Sequence, residues 1–125
     1  MNSLTRINST CGGTFEINVD LLKIFDITDP ENPFLRAEHP FFAPKGVGLD
    51  GSTLFVCDHT AGLKIFDVSD PYAPNLTKIA QLNITAFDVI PLDGLLLVVG
   101  PDNIYEYDYT DLENIKLISS FKYGN

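Results

Sequence analysis

The chain has little of what usually announces chemistry or a membrane. Its 125 residues include two cysteines, Cys11 and Cys57, and two histidines, His39 and His59. Two cysteines allow at most one internal disulfide, so the chain is not a disulfide scaffold, and such sparse usage fits a reducing compartment or indifference to redox state. The longest apolar run, residues 95–99, is far short of the roughly 20 residues a spanning helix needs. Residues 1–6 contain no apolar h-region, so no signal peptide is expected in this chain. Cations are scarce as well: 8 Lys and Arg against 17 Asp and Glu give a net charge of −9. That balance argues against nucleic acid or an anionic membrane surface as a partner, because both are negatively charged. No phosphate-binding Gly-rich loop ending in Lys, no Gly-Xaa-Ser-Xaa-Gly elbow and no His-Glu-Xaa-Xaa-His occurs. No stretch sustains a 3.6-residue apolar period, which removes amphipathic helices from the reading.

What is there is a repeat. Leu63-Lys64-Ile65-Phe66-Asp67-Val68-Ser69-Asp70-Pro71 is nearly a copy of Leu22-Lys23-Ile24-Phe25-Asp26-Ile27-Thr28-Asp29-Pro30, 41 residues earlier. A weaker copy, residues 104–111, lies another 41 residues on. A fixed period of this size means stacked supersecondary units. Each full unit reads as four short strands. In the second they cover residues 46–49, 53–57, 63–68 and 76–82; in the third, residues 86–90, 95–99, 104–109 and 115–121. The dipeptides Asp50-Gly51 and Asp93-Gly94 mark tight turns between the first two strands of each. In the first unit, residues 14–19 alternate apolar with polar, residues 22–27 repeat the core strand, and a short strand follows near residues 34–38. The first twenty residues resemble the repeat least.

In residues 63–68, Leu63 and Ile65 fall on one face and Phe66 and Val68 on the other, so both faces are apolar. Such a sheet must be covered on both sides. Four-stranded antiparallel sheets stacked around an axis satisfy this, whereas a two-sheet sandwich would leave one polar face per sheet. The expected fold is therefore all-β, a propeller-type repeat of about three blades with the first incomplete. Residues 1–40 form the partial blade, and 41–82 and 83–125 the two others. Rings need ~4–8 blades, so apolar faces are expected to lie uncovered at both ends.

The unit Thr53-Leu54-Phe55-Val56-Cys57-Asp58, followed by Gly62-Leu63-Lys64-Ile65-Phe66-Asp67-Val68-Ser69-Asp70-Pro71, closely resembles the LVIVD repeat of bacterial β-propeller proteins. The resemblance covers about residues 20–121. It implies a four-stranded propeller blade and an extracytoplasmic setting for full-length relatives. It carries no catalytic residues, because the shared positions are structural, and family members usually hold enough repeats to close a ring.

Candidate functional residues are few. Asp26, Asp67 and Asp108, with Asp29, Asp70 and Asp111, stand at symmetric positions, but each pair belongs to its own blade and reads as a turn cap. Cys57-Asp58-His59 lacks zinc-ligand spacing. Phe41 and Phe42, flanked by Pro40 and Pro44, either line a binding face at a blade edge or plug the core between blades. Among the inner strands only Asp88 supplies a carboxylate. A binding surface is thus expected at Phe41, Phe42, Asp58, His59 and Asp88, with no catalytic, metal or cofactor residue. The reading is a non-catalytic binding or scaffolding module. Its alternative is a fragment of a larger propeller whose complete ring carries a ligand-binding or hydrolytic site. Expected partners are further copies of the chain, further blades or another protein; nucleic acid and membrane insertion are not expected.

Overall fold

The computed structural model describes residues 5–8, 13–18, 21–26, 31–32, 34–70 and 76–123. Cys11 and the turn prolines Pro30, Pro33, Pro71 and Pro74 lie outside them. Twelve strands run in chain order. The first sheet holds β1 (Thr5–Asn8), β2 (Gly13–Asn18), β3 (Leu21–Asp26) and β4 (Phe34–Pro40). The second holds β5 (Gly46–Asp50), β6 (Thr53–Cys57), β7 (Leu63–Asp67) and β8 (Thr77–Leu82). The third holds β9 (Asp88–Leu92), β10 (Leu95–Val99), β11 (Asn103–Asp108) and β12 (Lys116–Lys122). Each sheet is a four-stranded antiparallel meander in chain order. The expectation of an incomplete first blade is corrected. Thr5–Asn8 pairs with β2, Thr5 opposite Ile17 and Ile7 opposite Phe15. A four-residue strand with a single apolar residue, Ile7, has no pattern of its own, and its neighbour defines it.

The repeat is visible in the irregularities too. A register shift falls between Ile24 and Phe25, between Ile65 and Phe66, and between Glu106 and Tyr107. These are the same step of the third strand in each blade, and such bulges increase local twist. The aspartates just after it cap turns as expected. Asp67 Oδ1 accepts from Ser69 N at 2.9 Å, and Asp108 Oδ1 from Thr110 N at 2.9 Å and its hydroxyl at 2.7 Å. These bonds favour the ionised form and hold both carboxyls below the usual range. The two Asp-Gly turns are not equivalent, however. Gly51 (φ +58°) is the first residue of its two-residue loop, whereas Asp93 (φ +51°) and Gly94 (φ +94°) together form the other. Two consecutive positive φ values suit the right-handed twist of a hairpin.

The sheets stack through two apolar layers. Leu22 and Ile24 of the first sheet meet Val47, Leu54, Val56 and Phe66 of the second. The other face of the second sheet, with Phe55, Cys57, Leu63 and Ile65, meets Val89, Leu96, Val98 and Tyr107 of the third. The expectation that the second sheet is apolar on both faces is met. Tyr109 crosses this layer: its ring lies 5.2 Å from that of Phe55 and its hydroxyl donates to Asp50 Oδ2 at 2.6 Å. The innermost strands β1, β5 and β9 lie side by side, one from each sheet. Close approach there is why β5 carries glycine. A Cβ on Gly46 would fall 2.7 Å from Asp88 Oδ1, and one on Gly48 2.8 Å from Pro91 Cδ.

Candidate functional site

Residues 58–62, joining β6 to β7, form the most elaborate loop at the end of the sheets where β5 and β9 begin. Asp58 N donates to Gly62 O at 2.9 Å and Ala61 N donates to Asp58 O at 2.8 Å, which closes the loop on itself. His59 sits in the left-handed region (φ +49°), and Gly62 (φ +100°) leaves room for the Leu82 carbonyl, 2.6 Å from where its Cβ would lie. Only glycine meets both demands at that position.

The Asp58 carboxylate is fully buried and fully used. Its Oδ1 accepts from Ala43 N at 2.7 Å; its Oδ2 accepts from Phe42 N at 3.1 Å and from Lys64 Nζ at 2.7 Å. Charge-assisted bonds of this kind are strong, and burying a carboxylate without such partners is costly. Asp58 thereby fixes the connection from β4 to β5. Lys64 also stands 5.4 Å above the Phe41 ring, and Phe41 packs edge-on against Phe66 at 5.8 Å. The structure separates Phe41 from Phe42. Phe41 plugs the seam between the first two sheets, while Phe42 is 65 % exposed.

His59 reaches the third sheet. Its carbonyl accepts from Ala86 N at 3.1 Å and its ring stacks on Phe87 at 5.2 Å. Two residues on, Asp88 is exposed and accepts from Val89 N at 2.9 Å. Phe42, His59 and Asp88 therefore share one end of the inner strands, while Phe41 and Asp58 lie beneath as support. Cys57, next to Asp58, is a free, fully buried thiol whose pKa burial and the Asp88 charge push far up, so the fold favours its protonated form. Among the described residues no group of three or more His, Cys, Asp or Glu could hold a metal.

Sequence reasoning missed a groove of about 320 Å³ between the first and second sheets, lined by His39, Phe41, Lys64, Phe66 and Lys78 among others. His39 Nε2 is buried there without a hydrogen-bond partner, and burial lowers the imidazole pKa. The signal available was Lys64, a cation inside an otherwise apolar strand.

No family model and no curated protein matches the chain. Solved structures do. A functionally unknown protein from Desulfotomaculum acetoxidans superposes with a TM-score of 0.77 at 14 % identity, over 97 % of this chain and 42 % of that one. A protein from Lactobacillus plantarum gives 0.72 at 13 %, again over 97 % and 42 %. BamB from Moraxella catarrhalis gives 0.66 at 11 %, over 97 % and 38 %. The chain thus spans about two-fifths of the length of the structures it matches. At these identities the likeness concerns the fold alone. Among the described residues no helix is long and apolar enough to cross a membrane. What the chain has is the β-propeller fold: three blades of four antiparallel strands, stacked about a common edge.

Proposed function

We propose that the chain is a non-catalytic binding or scaffolding module of LVIVD-type propeller blades, working through the loop end of its inner strands. The observation that carries this reading is Phe42. It is 65 % exposed, yet its own N–H is held by the buried Asp58 carboxylate. An exposed aromatic on a fixed backbone loses little entropy on binding. The His59–Phe87 stack and Asp88 extend the surface with an aromatic face and an acceptor. Amide NMR spectra recorded against panels of peptides and small polar molecules test it. Shifts gathered at Phe42, His59, Phe87 and Asp88, and lost in Phe42→Ala, are the expected result. Shifts elsewhere would overturn the reading.

A second reading is supported by the length comparison. Three blades amounting to 42 % of a neighbour's chain imply a ring of about seven. The chain would then be part of a larger propeller whose complete ring carries a ligand-binding or hydrolytic site, with full-length relatives outside the cytoplasm. Turnover of ester or phosphate substrates by a longer form, abolished by Asp88→Asn, would favour it over the binding module.

A further inference from the structure

Strand register gathers basic and aromatic side chains at the seam between the first two sheets. On β4, Glu38 pairs with Lys23 at 4.0 Å across the outer face of the first sheet. The next residue, His39, therefore faces inward, opposite the fully buried Leu22. From the second sheet, Lys64 stands opposite Gln81 and Phe66 opposite Lys78. The register shift between Ile65 and Phe66 brings Lys78 and Gln81 to one face, where Lys78 Nζ donates to Gln81 Oε1 at 2.7 Å. His39, Phe41, Lys64, Phe66 and Lys78 wall the groove of about 320 Å³ described above. That size lies at the lower end of the ~300–1,000 Å³ of small-molecule sites.

The electrostatics of this groove run against those of the chain. The net charge is −9 with 8 Lys and Arg in all, yet two lysines and a histidine line the groove and no carboxylate does. Lys64 is already countered, since its Nζ donates to Asp58 Oδ2 at 2.7 Å behind the wall. Lys78, at the exposed rim, has the Gln81 carbonyl and no carboxylate as its partner. Deeper in, His39 Nε2 is buried without a hydrogen-bond partner, and a buried polar atom left unpaired is costly. The remaining wall is apolar, with the Phe41 and Phe66 rings edge to face at 5.8 Å.

We propose that this groove binds a small organic monocarboxylate with an aromatic body. Its carboxylate is taken by His39 Nε2 and Lys78 Nζ, and its body lies against Phe41 and Phe66. One uncountered ammonium balances a single negative charge, which favours a carboxylate over a phosphate dianion. An acceptor at His39 Nε2 supplies the partner that atom lacks. The groups facing His39 across the groove are Lys64 and Lys78, with Asp58 held behind Lys64. A bound carboxylate thus becomes the nearest anion to the imidazole, and it stabilises the protonated ring against the effect of burial. Binding therefore tightens as the pH falls through the titration of His39.

The test is NMR of the whole chain titrated with phenylacetate, with its neutral amide phenylacetamide, and with inorganic phosphate. Phenylacetate should move the signals of His39, Phe41 and Phe66 and raise the pH midpoint of the His39 ring. His59, the other histidine, serves as the internal reference and should keep its midpoint. Phenylacetamide and phosphate should each bind at least about tenfold more weakly. His39→Leu should weaken phenylacetate about tenfold, and Lys78→Met, at the more screened rim, about threefold. Lys23→Met removes the same charge from the outer face and should change nothing. Circular dichroism checks folding, and Lys78→Met carries the test should His39→Leu not fold. Absence of shifts at His39, equal binding of the amide, tighter binding of phosphate, or equal effects of Lys23→Met and Lys78→Met would each overturn the proposal. The loop-end reading stands or falls separately, on whether Phe42→Ala removes shifts at His59, Phe87 and Asp88.

Discussion

Asp58 shows how one side chain converts sequence into architecture. A fully buried carboxylate with three donors joins the loop after β6, the connection before β5 and the ammonium of Lys64. Removing it leaves a partly exposed ammonium and two backbone N–H groups without their acceptor, so Asp58→Ala should lower stability by about 3 kcal/mol. A fall in the urea midpoint of matching size, with an unchanged m-value, is the check. Tyr109 makes a pH-dependent contribution. Burial and the bond to Asp50 push its phenol from about 10 up to about 12, so the fold holds the neutral form. Its contribution is complete below pH 10 and is lost as pH rises from 10 through 12. Urea midpoints across that range should fall in the native chain and fall less in Tyr109→Phe. The backbone contacts of Asp58 were not legible in the sequence, because their donors lie 15 and 16 residues upstream and nothing local announces them. Phe42, His59 and Asp88 were legible as surface candidates, since loops and blade edges are where polar and aromatic residues stay exposed.

At the scale of elements, apolar runs were the reliable signal. Thr53–Cys57 and Leu95–Val99 are strands over the residues their sequence suggests, because each is apolar along its length and is held in register by a strand on either side. Strand β9 begins later than its pattern implies. The expected strand over residues 86–90 is observed as Asp88–Leu92, since the two-residue loop Asp93-Gly94 fixes pairing with Leu95 and an isolated bridge to His59 takes up Ala86. The turns give a paired prediction. Gly51 has positive φ and open space around it, so Gly51→Ala should cost about 1 kcal/mol of backbone strain. Gly62 has positive φ and the Leu82 carbonyl in the way. Gly62→Ala should therefore cost at least twice as much, about 2 kcal/mol or more. Thermal melts of the two variants side by side decide it; equal shifts would mean that the loop relaxes around the added methyl.

For the whole molecule, stability resides in the layers between sheets more than in any sheet alone. An isolated four-stranded meander with apolar surface on both sides has nowhere to put it. Cys57 reports on this directly. It is buried in the layer between the second and third sheets, with its thiol kept protonated. A thiol-specific reagent should therefore react with Cys57 only at the rate of global opening, a rate that rises steeply with urea. Fast reaction in buffer would mean that the third sheet detaches on its own. The period of 41 made the number of units legible, but the residues on each outer face were not: they depend on strand pairing, and a one-residue change in register would turn a strand's two faces over. The central claim, that three four-stranded blades stack through shared apolar layers, is tested most directly by proton–proton Overhauser contacts in the folded chain. The Tyr109 ring should show contacts to the Phe55 ring, 5.2 Å away by centroids, and the methyls of Ile24 to those of Val56. Strong contacts within each sheet, but none between Tyr109 and Phe55 or between Ile24 and Val56, would contradict it.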